Sequence, residues 1–146
     1  LEAALRKIQD TLLICAPVIS QHAAVGALAA SAGGGAAYVR EKVRDLAAIR
    51  AVVQRELAPL ATEGLVDIPP ADGAFYFLLR VRTAHAPLAI AERLIRDHRV
   101  AVIPGSAFGL TQGCALRVAY GSLSAATAAE GIGRLVQGLR AIQHRG

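Results

Sequence analysis

An α/β chain, α+β when this piece is taken by itself, is what the sequence predicts: a small, mostly antiparallel or mixed sheet covered by helices, preceded by a long helix and a helical arm. Three observations lead there. Apolar residues recur at helical spacing over residues 1–57, β-rich runs alternate with helical ones after Leu65, and glycine or proline stands at most changeovers. A sheet with helices laid over it is the layer arrangement that buries both kinds of apolar surface. The 146 residues suffice for one such core, since a chain of this length buries about two thirds of its unfolded surface.

Leu1, Leu5, Ile8 and Leu12 share one face of a first helix, with Arg6, Lys7, Gln9 and Asp10 between them. Pro17 suits the first turn of a second helix running to about Ser31, where Gly33-Gly34-Gly35 breaks it. That glycine run is the expected boundary between a helical arm and a compact module. A long helix over residues 37–57 carries Val43, Leu46, Ala47, Ile49, Val53 and Leu57 as its apolar stripe, and Pro59 and Gly64 end or kink it. Residues 65–68 read as a short extended piece, followed by a turn at Pro69-Pro70-Ala71-Asp72-Gly73 and an aromatic-rich strand over 74–82. Pro87 opens a helix that reaches His98, and residues 99–103 read as a strand stopped by Pro104. After a loop, residues 114–119 form a further strand. Ser122 or Ser124 then caps a final helix bearing Ile132, Leu135, Val136, Leu139 and Ile142.

Apolar residues make up 54% of the chain and aromatics only 4%, with no Trp and no Met, so the core is expected to be Ala, Val, Leu and Ile in closely packed helices. A charged fraction of 18% and a mean hydropathy of +0.43 leave an apolar patch that further chain or a partner is expected to cover. The net charge is +5. Its basic residues are scattered beside acids, as in Arg40-Glu41-Lys42-Val43-Arg44-Asp45, which is the pattern of a solvated helix face and not of a phosphate track. No nucleic-acid partner is expected. The apolar run over 11–32 is interrupted by Pro17, Ser20, Gln21 and His22, so no membrane span is expected either. With no secretory leader visible, the chain reads as cytoplasmic, and Cys15 and Cys114 read as free, buried thiols.

Among the polar residues Arg117 stands out. On a strand, Cys114, Leu116 and Val118 fall on one face and Ala115, Arg117 and Ala119 on the other, so the guanidinium is flanked by methyl-sized side chains that leave room for a ligand. Its planar fork fits a carboxylate through two parallel hydrogen bonds. An arginine on the solvent face of a one-sided sheet would give the same pattern. Pro104, Gly105, Phe108 and Gly109 form a turn just before this strand, which either shapes a site or only serves backbone geometry. His22, His85, His98 and His144 have no metal-ligand spacing, and there is no phosphate-binding glycine loop or nucleophile elbow. No metal is expected in the chain.

Pro104-Gly105-Ser106-Ala107-Phe108-Gly109, then Cys114-Ala115-Leu116-Arg117-Val118-Ala119-Tyr120, with Gly73-Ala74-Phe75-Tyr76-Phe77 upstream, resemble in order and spacing the C-terminal part of the class I/II aminotransferases of fold type I. The resemblance implies that residues 1–35 correspond to the end of a large cofactor-binding domain and 36–146 to the small domain. It implies pyridoxal phosphate as cofactor, an amino acid or 2-oxo acid as substrate, and a homodimer, all in a longer parent. Arg117 takes the place of the arginine that binds the substrate's α-carboxylate, and Pro104, Gly105, Phe108 and Gly109 that of the loop shaping this end of the site. Such an enzyme also needs a Schiff-base lysine, an acid beneath the pyridinium nitrogen and phosphate donors. Neither Lys7 nor Lys42 lies in the family's lysine segment, so the resemblance implies no catalytic residue in this chain, and by itself it is expected to be inactive. The aromatics of Phe75-Tyr76-Phe77 read as core, with a Tyr76 hydroxyl turned toward a pocket as the less favoured alternative. Bacterial transcription regulators with an aminotransferase-like, effector-sensing domain share this C-terminal layout and are the second reading.

Overall fold

A computed structural model describes residues 1–12, 14–30 and 35–143. By contacts the chain divides into two units, Leu1–Val43 and Arg44–Gly146.

The first unit holds α1 (Glu2–Leu12), α2 (Val18–Ala29) and the opening turns of α3 (Gly35–Thr62). Pro17 precedes α2 in an extended conformation, and its carbonyl accepts from the amides of Ser20 and Gln21 at 2.9 and 3.1 Å. In α1 the guanidinium of Arg6 donates to Glu2 one turn earlier, at 3.1 Å. No residue of α1 or α2 is buried. Leu1, Leu5, Ile8 and Leu12 do line up, but every one of them is more than half exposed. Cys15 corrects the expectation of a buried thiol: it is exposed, in the connection between α1 and α2. The expected end of the second helix at Ser31 and most of the glycine boundary lie outside the described residues, and Gly35 is already the first residue of α3.

The second unit contains the core. From α3 it takes Val53, Leu57 and Leu60, with Leu46 and Ile49 half-buried against it. Val43, expected on the same stripe, is exposed. Pro59 does not end this helix, which continues to Thr62. A proline removes its own N–H from the ladder and its ring crowds the carbonyl four residues back, but its own carbonyl remains an acceptor. Its carbonyl still accepts from Glu63 at 2.9 Å, and the next residue, Leu60, is fully buried. The helix stops at Gly64, whose φ of 71° turns the chain left-handed. The amides of Gly64 and Leu65 then close back onto the carbonyls of Ala61 and Leu60 at 3.0 and 2.9 Å, a glycine-terminated helix end.

Four antiparallel strands follow, in the spatial order β1 (Val66–Asp67), β2 (Tyr76–Val81), β4 (Cys114–Ala119) and β3 (Ile103–Pro104). The register pairs Tyr76 with Ala119, Leu78 with Arg117 and Arg80 with Ala115 on one face. Phe77, Leu79, Val81, Cys114, Leu116 and Val118 fill the other face and are all buried. That face is covered by α3, α4 (Pro87–His98) and α5 (Ala125–Gln143), which add Ile90, Leu94, Ile132, Leu135, Leu139 and others to one cluster. Residues 99–102 do not form the expected strand. Arg99 takes the left-handed conformation that ends α4 (φ 54°), with its amide on Ile95 and that of Val100 on Leu94, so this backbone is spent on closing the helix. Ser124, one of the two expected caps, starts α5: its hydroxyl accepts from the Thr127 amide at 3.2 Å, and Thr127 Oγ1 accepts from the Ser124 amide at 2.9 Å.

Helices α4 and α5 approach through a glycine. A Cβ at Gly138 would lie 2.5 Å from Leu94 Cδ2 and 3.0 Å from the His98 ring, whereas a Cβ at Gly133 on the same helix would meet nothing within 4 Å. Gly138→Ala is therefore expected to destabilise the chain by about 1–3 kcal/mol through overpacking, and Gly133→Ala to stabilise it by up to about 1 kcal/mol through helix propensity. Urea denaturation of both variants checks the opposite signs.

Candidate substrate-carboxylate site

The face of the sheet turned away from the core carries Tyr76, Leu78, Arg80, Ala115, Arg117 and Ala119, by the strict alternation of β2 and β4. Over part of it folds the turn that follows β3. Ile103 pairs with Arg117 and Pro104 with Leu116, so Gly105 arrives beside Ala115. A Cβ on Gly105 would stand 2.7 Å from that of Ala115, so only glycine lets the chain pass this close. Residues Gly105–Phe108 then make one turn of 3-10 helix, and Gly109, at φ 79°, reverses the chain. The Leu110 amide closes the turn onto the Gly105 carbonyl at 3.2 Å. Phe108 and Leu110 are thereby brought onto the outer face of β4.

Tyr76, Leu78, Phe108, Leu110 and Arg117 line a cavity of about 310 Å³. The Arg117 guanidinium carbon lies 4.5 Å from the centre of the Tyr76 ring and 5.5 Å from that of Phe108. The rings come from opposite sides of β4, one from β2 and one from the turn after β3. Arg117 Nε is buried and has no hydrogen-bond partner among the described residues. A buried guanidinium N–H left unpaired costs about 1–3 kcal/mol or more. Stacking on two rings offsets part of that without using any N–H donor. What remains is a permanently charged fork, held among apolar side chains, with donors to offer an oxygen ligand.

A second cavity of about 460 Å³ adjoins it, sharing Leu78 and Leu110 and lined further by Asp67, Arg80, Arg82 and Gln112. Arg80 there already has a counter-charge, Asp67, at 3.7 Å. The smaller cavity, which contains the stacked Arg117, is the better candidate for an anionic ligand.

The expected site residues thus meet in part. Arg117 and Phe108 face one cavity, while Gly105 and Gly109 act through the backbone, and Pro104 pairs with Leu116 as the last residue of β3. Tyr76, read from sequence as core, is on the outer face and forms a wall of the cavity, whereas its neighbour Phe77 is the buried one. Alternation along the strand carries that signal, since 76 and 78 share a face and 77 and 79 the other. Leu78 and Leu110 were not anticipated, and for Leu110 no local pattern points to the site. Among the described residues no group of His, Cys, Asp and Glu is arranged to hold a metal. His22 and His85 are exposed, His98 packs beside Gly138, and His144 lies outside the described residues. No described helix is long and apolar enough to cross a membrane.

Residues 1–135 match the family described as aminotransferase class I and II. The chain belongs to that family, whose members depend on pyridoxal phosphate. It is 34% identical over 141 residues to the aromatic aminotransferase ISS1 of Arabidopsis thaliana, a match covering 96% of this chain and 34% of that protein. The crystal structure of an aromatic aminotransferase from Pyrococcus horikoshii superposes with a TM-score of 0.73 at 27% identity, over 95% of this chain and 35% of its own. An archaeal alanine:glyoxylate aminotransferase shares the fold with a TM-score of 0.76 at 20% identity, over 92% of this chain and 33% of its own. The chain thus spans about a third of the length of these relatives.

Lys7 is exposed on α1, in an open depression with Arg6, Gln9 and Asp10, and Lys42 is exposed on α3 with its ammonium 5.6 Å from the Tyr38 ring. Neither stands in an enclosed cavity. The two thiols differ more sharply: Cys15 is exposed, whereas Cys114 is 4% exposed and burial pushes its thiol above the ordinary value. A thiol reagent is expected to label Cys15 rapidly and Cys114 only after denaturant is added, as counted by absorbance with and without denaturant.

Proposed function

We propose that this chain is the substrate-carboxylate half of a pyridoxal phosphate-dependent aminotransferase, active in a longer protein that transfers an amino group between an amino acid and a 2-oxo acid. The observation that carries the reading is the Arg117 guanidinium, buried at Nε, unpaired there among the described residues, and facing a cavity of about 310 Å³. A carboxylate entering that cavity meets a charged fork in an apolar surround, where charge-assisted hydrogen bonds are about twice as strong as neutral ones. Two parallel bonds would fix the substrate's orientation as well as its position. Pro104, Gly105, Phe108 and Gly109 support the reading by bringing an aromatic wall over β4.

The division of labour belongs to the same proposal: residues 1–35 as the end of the cofactor-binding domain and 36–146 as the small domain, with Lys7 and Lys42 taking no part in the chemistry. The cofactor supplies an electron sink for bonds at the substrate's α-carbon, and this chain's contribution is to hold the carboxylate. The parent is proposed to be a homodimer. The uncovered apolar residues Leu1, Leu5, Ile8 and Leu12 favour a first unit that packs on further chain or on a partner.

Two measurements test the reading. Titrating the 146-residue chain with a 2-oxo acid is expected to shift signals of residues around Arg117, and Arg117→Gln is expected to abolish the response. Mixed with pyridoxal phosphate and borohydride, the chain is expected to yield no saturable, stoichiometric adduct. Such an adduct on Lys7 or Lys42 sinks the proposed division of labour, and a response unchanged in Arg117→Gln sinks the site.

A further inference from the structure

The carboxylate fork has nothing polar to hold it in place. Its Nε is buried without a hydrogen-bond partner among the described residues, and no ion pair to it is found among them. Its strand neighbours across the sheet, Leu78 and Ile103, are aliphatic, and Ala115 and Ala119 along β4 are too small to brace a long side chain. An arginine in that setting samples several rotamers at little cost, and a ligand that needs the fork in one plane must then supply the ordering. Two contacts break that freedom: the Tyr76 ring at 4.5 Å and the Phe108 ring at 5.5 Å.

We infer that Tyr76 and Phe108 are positioning residues, which stack on the Arg117 guanidinium and hold its fork ready for the substrate carboxylate. Tyr76 is the stronger of the two. Its ring is nearer and rises from β2, which is paired with β4 through all six of its residues, whereas Phe108 rides on a single helical turn. Stacking suits the task because it engages the face of the guanidinium and leaves all its N–H groups free for the ligand. An acidic partner would also have fixed the fork, but it would have occupied the donors and cancelled the charge that binds substrate. The ring and not the phenol carries the role: among the described residues no hydrogen bond from the Tyr76 hydroxyl is found, in contrast to Tyr120, whose hydroxyl reaches the Ala74 carbonyl at 3.4 Å. Tyr76→Phe, which keeps the ring, should therefore keep the fork ordered. The same rings leave the carboxylate's neighbour facing an apolar wall made with Leu78 and Leu110.

This inference rests on the carboxylate reading of Arg117, and the experiment separates the two. Nitrogen-15 relaxation of the Arg117 Nε–Hε group measures how ordered the fork is in the 146-residue chain without any ligand. Titration with 3-phenylpropionate measures what that order is worth. The order parameter is expected to be high in the parent chain and in Tyr76→Phe, and to fall below about 0.6 in Tyr76→Leu and Phe108→Leu. The probe's dissociation constant is expected to rise about 5- to 30-fold in Tyr76→Leu, and Tyr76→Phe, which restores the ring, is expected to recover most of that loss. Backbone amide spectra of the variants report whether the sheet is intact, and the conservative pair Tyr76→Phe and Phe108→Tyr keeps the comparison open should a leucine variant unfold. If Arg117→Gln abolishes probe binding while the fork in Tyr76→Leu stays as ordered as in the parent chain, the positioning role is overturned and the carboxylate site stands. If Arg117→Gln leaves probe binding unchanged, the carboxylate site falls and this inference falls with it.

Discussion

The antiparallel register between β2 and β4 is the constraint on which the rest of this structure depends. It sets six residues against six, from Tyr76 with Ala119 to Val81 with Cys114, and thereby decides which side chains enter the core. A slip by one residue would exchange the two faces of β2. Phe77, Leu79 and Val81 would leave the cluster they share with α3, α4 and α5, and Tyr76, Leu78 and Arg80 would replace them. The same register places Arg117 opposite Leu78 and diagonal to Tyr76, so core and candidate site are two readings of one ladder. Elements around it reinforce the choice. The Tyr120 amide extends the pairing to the Phe75 carbonyl at 2.9 Å, and the Tyr120 ring packs 5.5 Å from that of Phe77 on the core side.

Glycines tighten this arrangement where two surfaces must approach. Gly105 lets the turn after β3 lie on Ala115, and Gly138 lets α5 lie on Leu94 and His98 of α4. The first contact serves the outer face and the second the core, yet both answer the same shortage of aromatic residues in the sequence. With few large side chains to fill space, the elements themselves must come closer. Polar clasps on the rim complete the closure. Arg50 of α3 donates to the Ala71 carbonyl while its guanidinium lies 5.8 Å from the Phe77 ring. Arg140 of α5 pairs with Glu63 just beyond α3, and Gln143 reaches the Arg82 carbonyl at 3.2 Å.

Most of this was legible in the sequence because it is local. The strand over residues 114–119 and the helix from Pro87 to His98 have the bounds that alternation, proline and apolar spacing indicate. Two expectations gave way to competing contacts. Pro59, read together with Gly64 as an end or a kink, does not end α3, which runs on to Thr62 with Leu60 fully buried. Residues 99–102 looked like a strand by their valines, but closing α4 uses Arg99 and Val100. In the site, Arg117 and the turn before its strand were visible, since an arginine between alanines and a glycine-rich turn are patterns within one segment. Tyr76 was misassigned because aromatic density favours the core when the phase of the alternation is unknown, and that phase is fixed only by pairing with β4. Leu110 reaches the cavity because Gly105 and Gly109 turn the chain back over the sheet, which no spacing along the sequence encodes.

The first unit presents the opposite balance. Its helices have sound local features, such as the Arg6–Glu2 pair one turn apart and the proline before α2, but no residue of α1 or α2 is buried. Exposed ion pairs of this kind contribute about 0.3–0.5 kcal/mol each, and helices of eleven and twelve residues are marginal without packing. Local preference is therefore not what keeps such helices formed; an apolar face needs cover. In the second unit that cover is present, and the candidate site stands on the rigid ladder beneath it. The proposed division of labour has the same physical sense. A clamp of the kind proposed gains its precision from a strand locked by its neighbours, and β4 is such a strand within the second unit, while Lys7 and Lys42 stand on exposed helical turns.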